Sequence, residues 1–283
     1  MTGLPAGDAS SPEPTGAINP RDRIISLERG LAVLAAVGRG PGMTLAEIAA
    51  AAGVSRAAAR RILITLSSLD YIEQRGNGYV VRPRVFEFGY AYLSEQPLTA
   101  VAATHLEAVA TALGEFCSIA VASGAEIVHI MREAPQRFMR PDIPIGSRFP
   151  AYSTAQGRVL LAALSPDELE AQVERLNITR FTSHTARSPA EIVASIEQVR
   201  KLGYAVNDQE MEYGVRSAAV AIRDRDGHAL AALGTVVNAS EVSIAQLRKR
   251  AVPALQAAAE RISADLRTAP VSAPRAFRRP ASS

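Results

Sequence analysis

The sequence predicts an α+β protein in two parts, an N-terminal winged helix-turn-helix and a C-terminal mixed domain, joined by a linker helix. Three observations carry that prediction. Residues 44–69 read as two short helices around a Gly-centred turn, followed by an alternating run that folds back on itself at 76–78. Residues 84–97 concentrate aromatic side chains in a chain that is 5% aromatic. From residue 98 onward, apolar runs of strand length alternate with helices that carry hydroxyl caps.

Length and composition bound the rest. A chain of 283 residues has room for about two ordinary domains, and 48% hydrophobic residues supply two cores. The net charge of +3 is only mildly basic, so any basic surface must be local. One cysteine excludes an internal disulfide framework and a cysteine-rich zinc site. The N-terminus lacks the basic stretch and apolar run of a signal peptide, and no stretch approaches the roughly 18 apolar residues of a membrane span, so a cytoplasmic protein without membrane partners is expected. Pro, Gly, Ser and Ala dominate residues 1–20 and 268–283, which reads as two disordered tails.

In chain order, Ser26 is placed to cap a first helix whose Leu27, Leu31, Leu34 and Val37 recur at helical spacing, and Gly38, Gly40, Pro41 and Gly42 end it. Thr44 and Glu47 have capping-box spacing. Gly53 supplies the turn, Val54 fills the angle between the helices, and Ser55 caps the next helix. Projected at about 100° per residue, that helix turns Ala58, Ala59, Ile62, Leu63, Leu66 and Leu69 to the core. The opposite arc carries Arg56, Ala57, Arg60, Arg61, Ile64, Ser67 and Ser68. An Arg-rich first half is what a recognition helix presents to the major groove. Tyr71 to Val81 alternates around Gly76-Asn77-Gly78, with Asn-Gly as the hairpin signal, and forms a wing with Arg75 at its tip and Arg82 and Arg84 at its base to reach phosphates. Thr44, Ser55, Arg56, Ala57, Arg60, Arg61 and Arg75 are the candidate DNA-binding residues of a unit spanning 21–83.

The linker helix of residues 84–97 carries Val85, Phe86, Phe88, Tyr90, Tyr92 and Leu93 on more than one face, which suits burial against a second copy. In residues 98–267, a helix from Leu98 precedes strands at 116–122 and 126–132. A loop from Ala134 to Pro150 then carries Arg137, Arg140 and Arg148, each able to hold an anion or simply to face solvent. Tyr152-Ser153-Thr154 caps the helix AQGRVLLAAL, whose free N–H groups suit a small carboxylate. Ser165 and Ser188 each open a further helix with Pro at the first position, and the second stops at Gly203. Strands follow at 204–206, 217–223 and 229–237, the last two turning at Asp226-Gly227, before a long helix from Ser243 to Leu266 with Pro253 as a kink point. The resulting sheet is expected to be open on one face and to form a ligand pocket.

These residues resemble a known family. ISLERGLAVL, TLAEIAAAAGVSRAAARRIL, PIGSRFPAYSTAQGRVLLAAL and GYAVNDQEMEYGVRSAAVAIRDRDG, in that order across residues 24–267, are similar to the IclR family of bacterial transcriptional regulators. RFPAYSTAQGRVLL and DQEMEYGVRS look most like the branch governing aromatic-acid breakdown through the β-ketoadipate pathway. The resemblance implies a winged helix-turn-helix, a linker helix and a GAF-like effector-binding domain, assembled as a homodimer or dimer of dimers. It further implies operator DNA and a small carboxylate of the protocatechuate, 4-hydroxybenzoate or β-ketoadipate type as partners, with no cofactor. By position it assigns Ala155, Gln156, Asn207, Ser217, Gly234 and Val236 to the effector pocket. Asn207 stands where many members have Asp, and Ser217 where many have Cys. Gly234 and Val236 replace serines of some glyoxylate-type members, leaving a less polar pocket that suits an aromatic ring.

Other residues carry weaker signals. Asp208, Glu210 and Glu212 near Arg216 imitate an acid/base or metal cluster, but loop carboxylates are more often solvated or salt-bridged. The histidines His105, His129, His184 and His228 share no ligand spacing, so no metal is expected. His129, on its strand, can face the pocket but reads first as a satisfied core residue, and Cys117 as a small buried apolar one. No catalytic or nucleotide motif is present, which leaves a small-acid hydrolase as the alternative class without candidate residues, and a regulator of another carboxylate pathway as the nearer one.

Overall fold

The computed structural model describes residues 23–40, 42–94, 97–135 and 143–268. The tail expected at 1–20, nearly all of that at 268–283, and Arg137 and Arg140 lie outside them. The chain divides into two compact units, one running up to Ala91 and the other beginning at Tyr92, so the division falls within the segment read as a linker.

The first unit contains α1 (Ile25–Val37), β1 (Met43–Thr44), α2 (Leu45–Ala51), α3 (Arg56–Ser68), β2 (Ile72–Arg75) and β3 (Gly78–Val81). Its three strands pair in the order β1-β3-β2. Val33, Val37, Ile48, Leu63 and Ile72 form the core, with Val54 and Ile62 packed against it. Gly53 takes a positive φ of 63° at the turn between α2 and α3.

Four expectations change here. Ser26 lies inside α1, whose N-cap is Ile24 without a side-chain bond. Leu27 and Leu31 are 57% and 60% exposed, while Val33, Ala36 and Val37 are buried. α1 is apolar on more than one arc, and the arc of Val33, Ala36 and Val37 is the one that joins Ile48 of α2 and Leu63 of α3 in the core; periodicity cannot choose between them. Leu69 is 47% exposed because it caps α3 at φ −91° and ψ 3°, beyond the helical projection. In the wing, Arg75 pairs with Gly78, so the turn residues are Gly76 and Asn77. Gly76 has a positive φ and Asn77 does not, the sign pattern of a type II′ turn. Gly78 serves the strand instead: it pairs with Thr44 of β1, and a Cβ there would lie 2.1 Å from the Gly42 carbonyl oxygen.

A single 3₁₀ turn, Pro83–Val85, leads into α4 (Phe86–Ser94). Phe86, Phe88 and Tyr90 are 73%, 63% and 74% exposed.

The second unit runs α5 (Pro97–Leu113), β4 (Phe116–Ser123), β5 (Glu126–Glu133), β6 (Arg148–Pro150), α6 (Ala155–Leu161), α7 (Pro166–Glu174), α8 (Pro189–Leu202), β7 (Tyr204–Asp208), β8 (Val215–Arg223), β9 (Ala229–Asn238), α9 (Ile244–Gln246) and α10 (Val252–Thr268). Its six strands form one antiparallel sheet in the order β6-β5-β4-β9-β8-β7. The sheet is covered on both faces, not open on one. Leu106, Ile119, Leu233, Leu255 and Ile262 fill the side beneath α5 and α10. Ala120, Ile127, Ala232, Leu160 and Ile192 fill the side beneath α6, α7 and α8. β9 is buried along nearly its whole length, as a central strand covered on both sides must be.

Local signals explain the helix ends. Ser165 and Glu168 form a capping box, and Ser188 accepts from the Glu191 N–H. Gly203 ends α8 at φ 77°. Before Pro253, Leu247–Ala251 widens into a π turn, which accommodates a residue without an N–H; α10 then starts at Val252 and holds Pro253 in its first turn.

Candidate functional site

The first unit presents a recognition surface built from two helix starts. The Thr44 N–H and hydroxyl both donate to Glu47 Oε2 at 2.8 Å, and the Glu47 N–H returns to Thr44 Oγ1 at 3.4 Å. These bonds hold the Glu47 carboxyl below its ordinary pKa. Ser55 Oγ accepts from the Ala58 N–H at 3.2 Å and fixes the start of α3. Beyond it Arg56, Ala57, Arg60 and Arg61 are all exposed, and none of the three guanidiniums bonds a described residue. Arg75 bonds Glu73 at the wing but remains 73% exposed.

Arg82 and Arg84, expected to reach phosphates, also have partners within the protein. Arg82 pairs with Asp70 at 3.0 Å. Arg84 donates to the Leu69 carbonyl at 2.6 Å and lies 4.9 Å over the Tyr71 ring, whose other neighbour is Phe88. The two arginines brace the base of the wing.

In the second unit, a cavity of about 330 Å³ lies between the start of α6, the strands beneath it and the β7–β8 loop. Of the six residues assigned by resemblance, Ala155, Gln156, Asn207, Ser217 and Val236 line it. Gly234 does not. A Cβ at Gly234 would stand 2.8 Å from Gln156 Cγ, so this glycine makes room for the glutamine. Gln156 in turn donates through Nε2 to the carbonyls of Ser118 and Ala232, both at 3.0 Å. Asn207 donates to the Ser153 carbonyl at 2.8 Å and accepts from the Glu210 N–H. Both side chains therefore hold the walls together.

α6 is shorter than the ten residues read from the sequence. Thr154 is its N-cap and accepts the Gly157 N–H at 3.1 Å, leaving Ala155 and Gln156 as the first donors that a helix cannot satisfy internally. Arg158 grips Glu210 through two bonds of 2.6 and 2.5 Å and donates to the Tyr152 carbonyl at 2.9 Å. This buried pair ties α6 to the loop that carries Met211 and Glu212 over the cavity. The carboxylate cluster thus resolves into ion pairs: Glu210 with Arg158, and Asp208 with Arg216 at 2.7 Å. Arg148 pairs with Glu126 at 2.7 Å and takes no part in the cavity.

Sequence reasoning missed the apolar walls Ile127, Phe149, Met211 and Val215. Of the two readings of His129, the pocket-facing one holds and the satisfied-core one does not: it lines the cavity at 3% exposure, its Nδ1 without a partner among the described residues. Ile127 and His129 share one side of β5, so strand alternation could have paired them. Cys117 is fully buried, and burial pushes its thiol up to about 12. In the β8–β9 turn, Asp224, Asp226 and His228 bring candidate ligand atoms within 4.8 Å of one another. Asp224 Oδ1 already accepts the N–H groups of Asp226 and His228 at 2.8 Å, which accounts for the grouping as a turn. Among the described residues, no helix is long and apolar enough to cross a membrane.

A winged helix-turn-helix followed by a separate domain with a small cavity defines a ligand-responsive transcriptional regulator. Residues 26–76 match the IclR helix-turn-helix domain, and residues 90–264 match the C-terminal domain of the bacterial transcriptional regulator IclR. The chain belongs to the IclR family.

It is 39% identical to the Pca regulon regulatory protein of Pseudomonas putida, over 84% of this chain and 82% of that one. It is 29% identical to the p-hydroxybenzoate hydroxylase transcriptional activator of Acinetobacter baylyi, over 87% and 93%. A transcriptional regulator from Rhodococcus sp. RHA1 superimposes with a TM-score of 0.73 at 40% identity, covering 86% and 98%. An IclR homologue from Microbacterium hydrocarbonoxydans, solved with 4-hydroxybenzoate, shares the fold at a TM-score of 0.72 and 23% identity, covering 86% and 100%. The curated relatives are named regulators rather than enzymes, and the hydrolase alternative finds no support among them.

Proposed function

We propose that this regulator controls genes of aromatic-acid breakdown and responds to a small aromatic or ring-derived carboxylate. The observation that carries the reading is the cavity, small at about 330 Å³ and walled by Ile127, Phe149, Met211 and Val236. Its volume and lining suit one aromatic ring, and the first N–H groups of α6 suit a carboxylate. The Pca and p-hydroxybenzoate regulators among the relatives support the pathway. The effector contacts Ala155, Ser217 and Val236 directly, while Gln156 and Asn207 shape the site and Gly234 makes room for Gln156.

The protein acts in the cytoplasm on operator DNA. Arg56, Ala57, Arg60 and Arg61 enter the major groove, Thr44 and Ser55 approach the backbone at the helix starts, and Arg75 follows from the wing. The exposed aromatic residues Phe86, Phe88 and Tyr90 form the homodimer contact, which places two recognition helices on a roughly palindromic site. Effector binding shifts DNA affinity through its preference for one of two conformations.

A thermal-shift screen against protocatechuate, 4-hydroxybenzoate, β-ketoadipate and glyoxylate tests this reading. A ligand at a hundred times its dissociation constant stabilises by about 2.7 kcal/mol. A shift with one aromatic-pathway acid, accompanied by a changed affinity for promoter DNA, is expected; a response to glyoxylate alone overturns the pathway.

A further inference from the structure

We propose that Ile64 on α3 reads thymine in the operator, by laying its side chain against the C5-methyl group of one T in each half-site. This rests on α3 lying in the major groove, as proposed above. The other large apolar side chains of this part of the helix belong to the core: Leu63 is fully buried, and Ile62 and Leu66 pack beside it. Ile64 is 58% exposed and, among the described residues, joins neither that core nor the side chains packed against it. At about 100° per residue it lies about 20° from Ala57 around the helix, with Arg60 about 40° to one side and Arg61 about 60° to the other. It therefore stands in the middle of the arc whose exposed Arg56, Arg60 and Arg61 bond no described residue. An exposed apolar side chain needs no explanation in general, but one at the centre of the surface presented to DNA does.

The base follows from the chemistry of the groove. Bases present ring nitrogens, carbonyl oxygens and amino groups along the major-groove floor, and one apolar group, the methyl of thymine. Isoleucine neither donates nor accepts a hydrogen bond. Over a polar base edge, Ile64 would strip water from a group that it cannot bond. Over a methyl it removes apolar surface from water on both partners. Its polar neighbours do not take over the reading at this turn of the helix: Thr65 Oγ1 donates to the Arg61 carbonyl at 3.1 Å and Ser68 Oγ to the Thr65 carbonyl at 2.8 Å, so both hydroxyls are turned back on their own backbone. Along the axis Ile64 stands about 10 Å beyond Ala57, the length of roughly three base-pair steps. A methyl beneath Ile64 is therefore distinct from one beneath Ala57, and the two positions can be told apart base by base.

The test uses a duplex selected from a randomised DNA library by the full-length natural chain. Each thymine of that duplex is replaced in turn, in both half-sites, by deoxyuridine, which removes the methyl and keeps the pairing and the O4 acceptor. Gel-shift titration then compares the natural chain with Ile64→Ala and Ile64→Val. At one position the replacement is expected to weaken binding by the natural chain about tenfold. Ile64→Ala should bind the thymine and deoxyuridine duplexes within about twofold of each other there, and Ile64→Val, which keeps a branched side chain, should retain most of the difference and guards against a defect of folding in the Ala variant. A site at which no deoxyuridine weakens the natural chain overturns the proposal while leaving α3 in the groove. So does a thymine effect that survives in a folded Ile64→Ala protein; if that variant also sediments as a smaller species, Ile64 belongs instead to a protein contact along the groove that it edges with Ile25 of α1. A selection that converges on no sequence overturns the placement of α3 and this assignment with it.

Discussion

The polar side chains of the two units are used in opposite ways. On α3, Arg56, Arg60 and Arg61 stand exposed and bond no described residue, so the helix folds without them. Beneath α6, Arg158, Glu210, Gln156 and Asn207 are largely buried and all bonded, so the fold depends on them. A surface that must meet a highly charged partner gains from keeping its cations uncommitted. A cavity that must hold one small molecule gains from bracing side chains that are already satisfied, as these four are and His129 Nδ1 is not, since less reorganisation then takes less from affinity.

Substitutions should divide along the same line. The largest effect is expected at Glu210, whose removal leaves Arg158 buried without its counter-ion; Glu210→Ala should lower stability by about 3–5 kcal/mol in urea denaturation. A loss below 1 kcal/mol would break the contrast, because the pair would then be as dispensable as a surface one.

Acid sharpens it next. The His129 pKa is pushed from 6.5 down to about 4, so the folded state binds the proton less readily than the unfolded chain. Stability is therefore full above pH 6.5 and is lost as pH falls through about 4, by on the order of 3 kcal/mol from this group. His129→Phe should flatten that part of the stability–pH curve. An identical acid limb in the variant would mean that His129 is not the group responsible.

Gly234→Ala comes third, because its Cβ would press on Gln156 Cγ and the Ala218 carbonyl. About 1–3 kcal/mol of destabilisation is expected, and effector affinity should fall with it. A neutral Gly234→Ala would show that Gln156 has another resting place.

The smallest stability effect belongs to Arg60→Ala. Melting should shift by less than about 0.5 kcal/mol equivalent, while operator affinity drops by about 1–3 kcal/mol if the side chain reads a base. Unchanged binding in a gel-shift titration removes Arg60 from the reading set.

The N-terminal architecture was legible because its signals are local. Thr44 with Glu47, Gly53 and Ser55 each act within four residues, and each appears where the spacing places it. Which arc of α1 is buried was not, because Leu27 and Leu31 satisfy helical periodicity as well as Val33 and Val37 do. The wing turn slipped by one residue for a similar reason: Gly78 looks like a turn glycine, but its constraint comes from Gly42, distant in sequence. In the second unit the elements were legible except β6, which falls in a stretch read as a loop, and the covered sheet was not, since small residues such as Ala219 and Ala232 read alike whether one face or both are buried.

The sequence by itself determined the family, most of the order of elements and the helix starts at Thr44, Ser55, Ser165 and Ser188, all of which rest on caps, turns and periodicity acting over a few residues. The tertiary structure alone decided how the cavity walls are tied together. Gln156 meets Ser118 and Ala232, and Arg158 meets Glu210, each across dozens of residues. Such contacts depend on where separate elements come to rest against one another, and no local pattern encodes that.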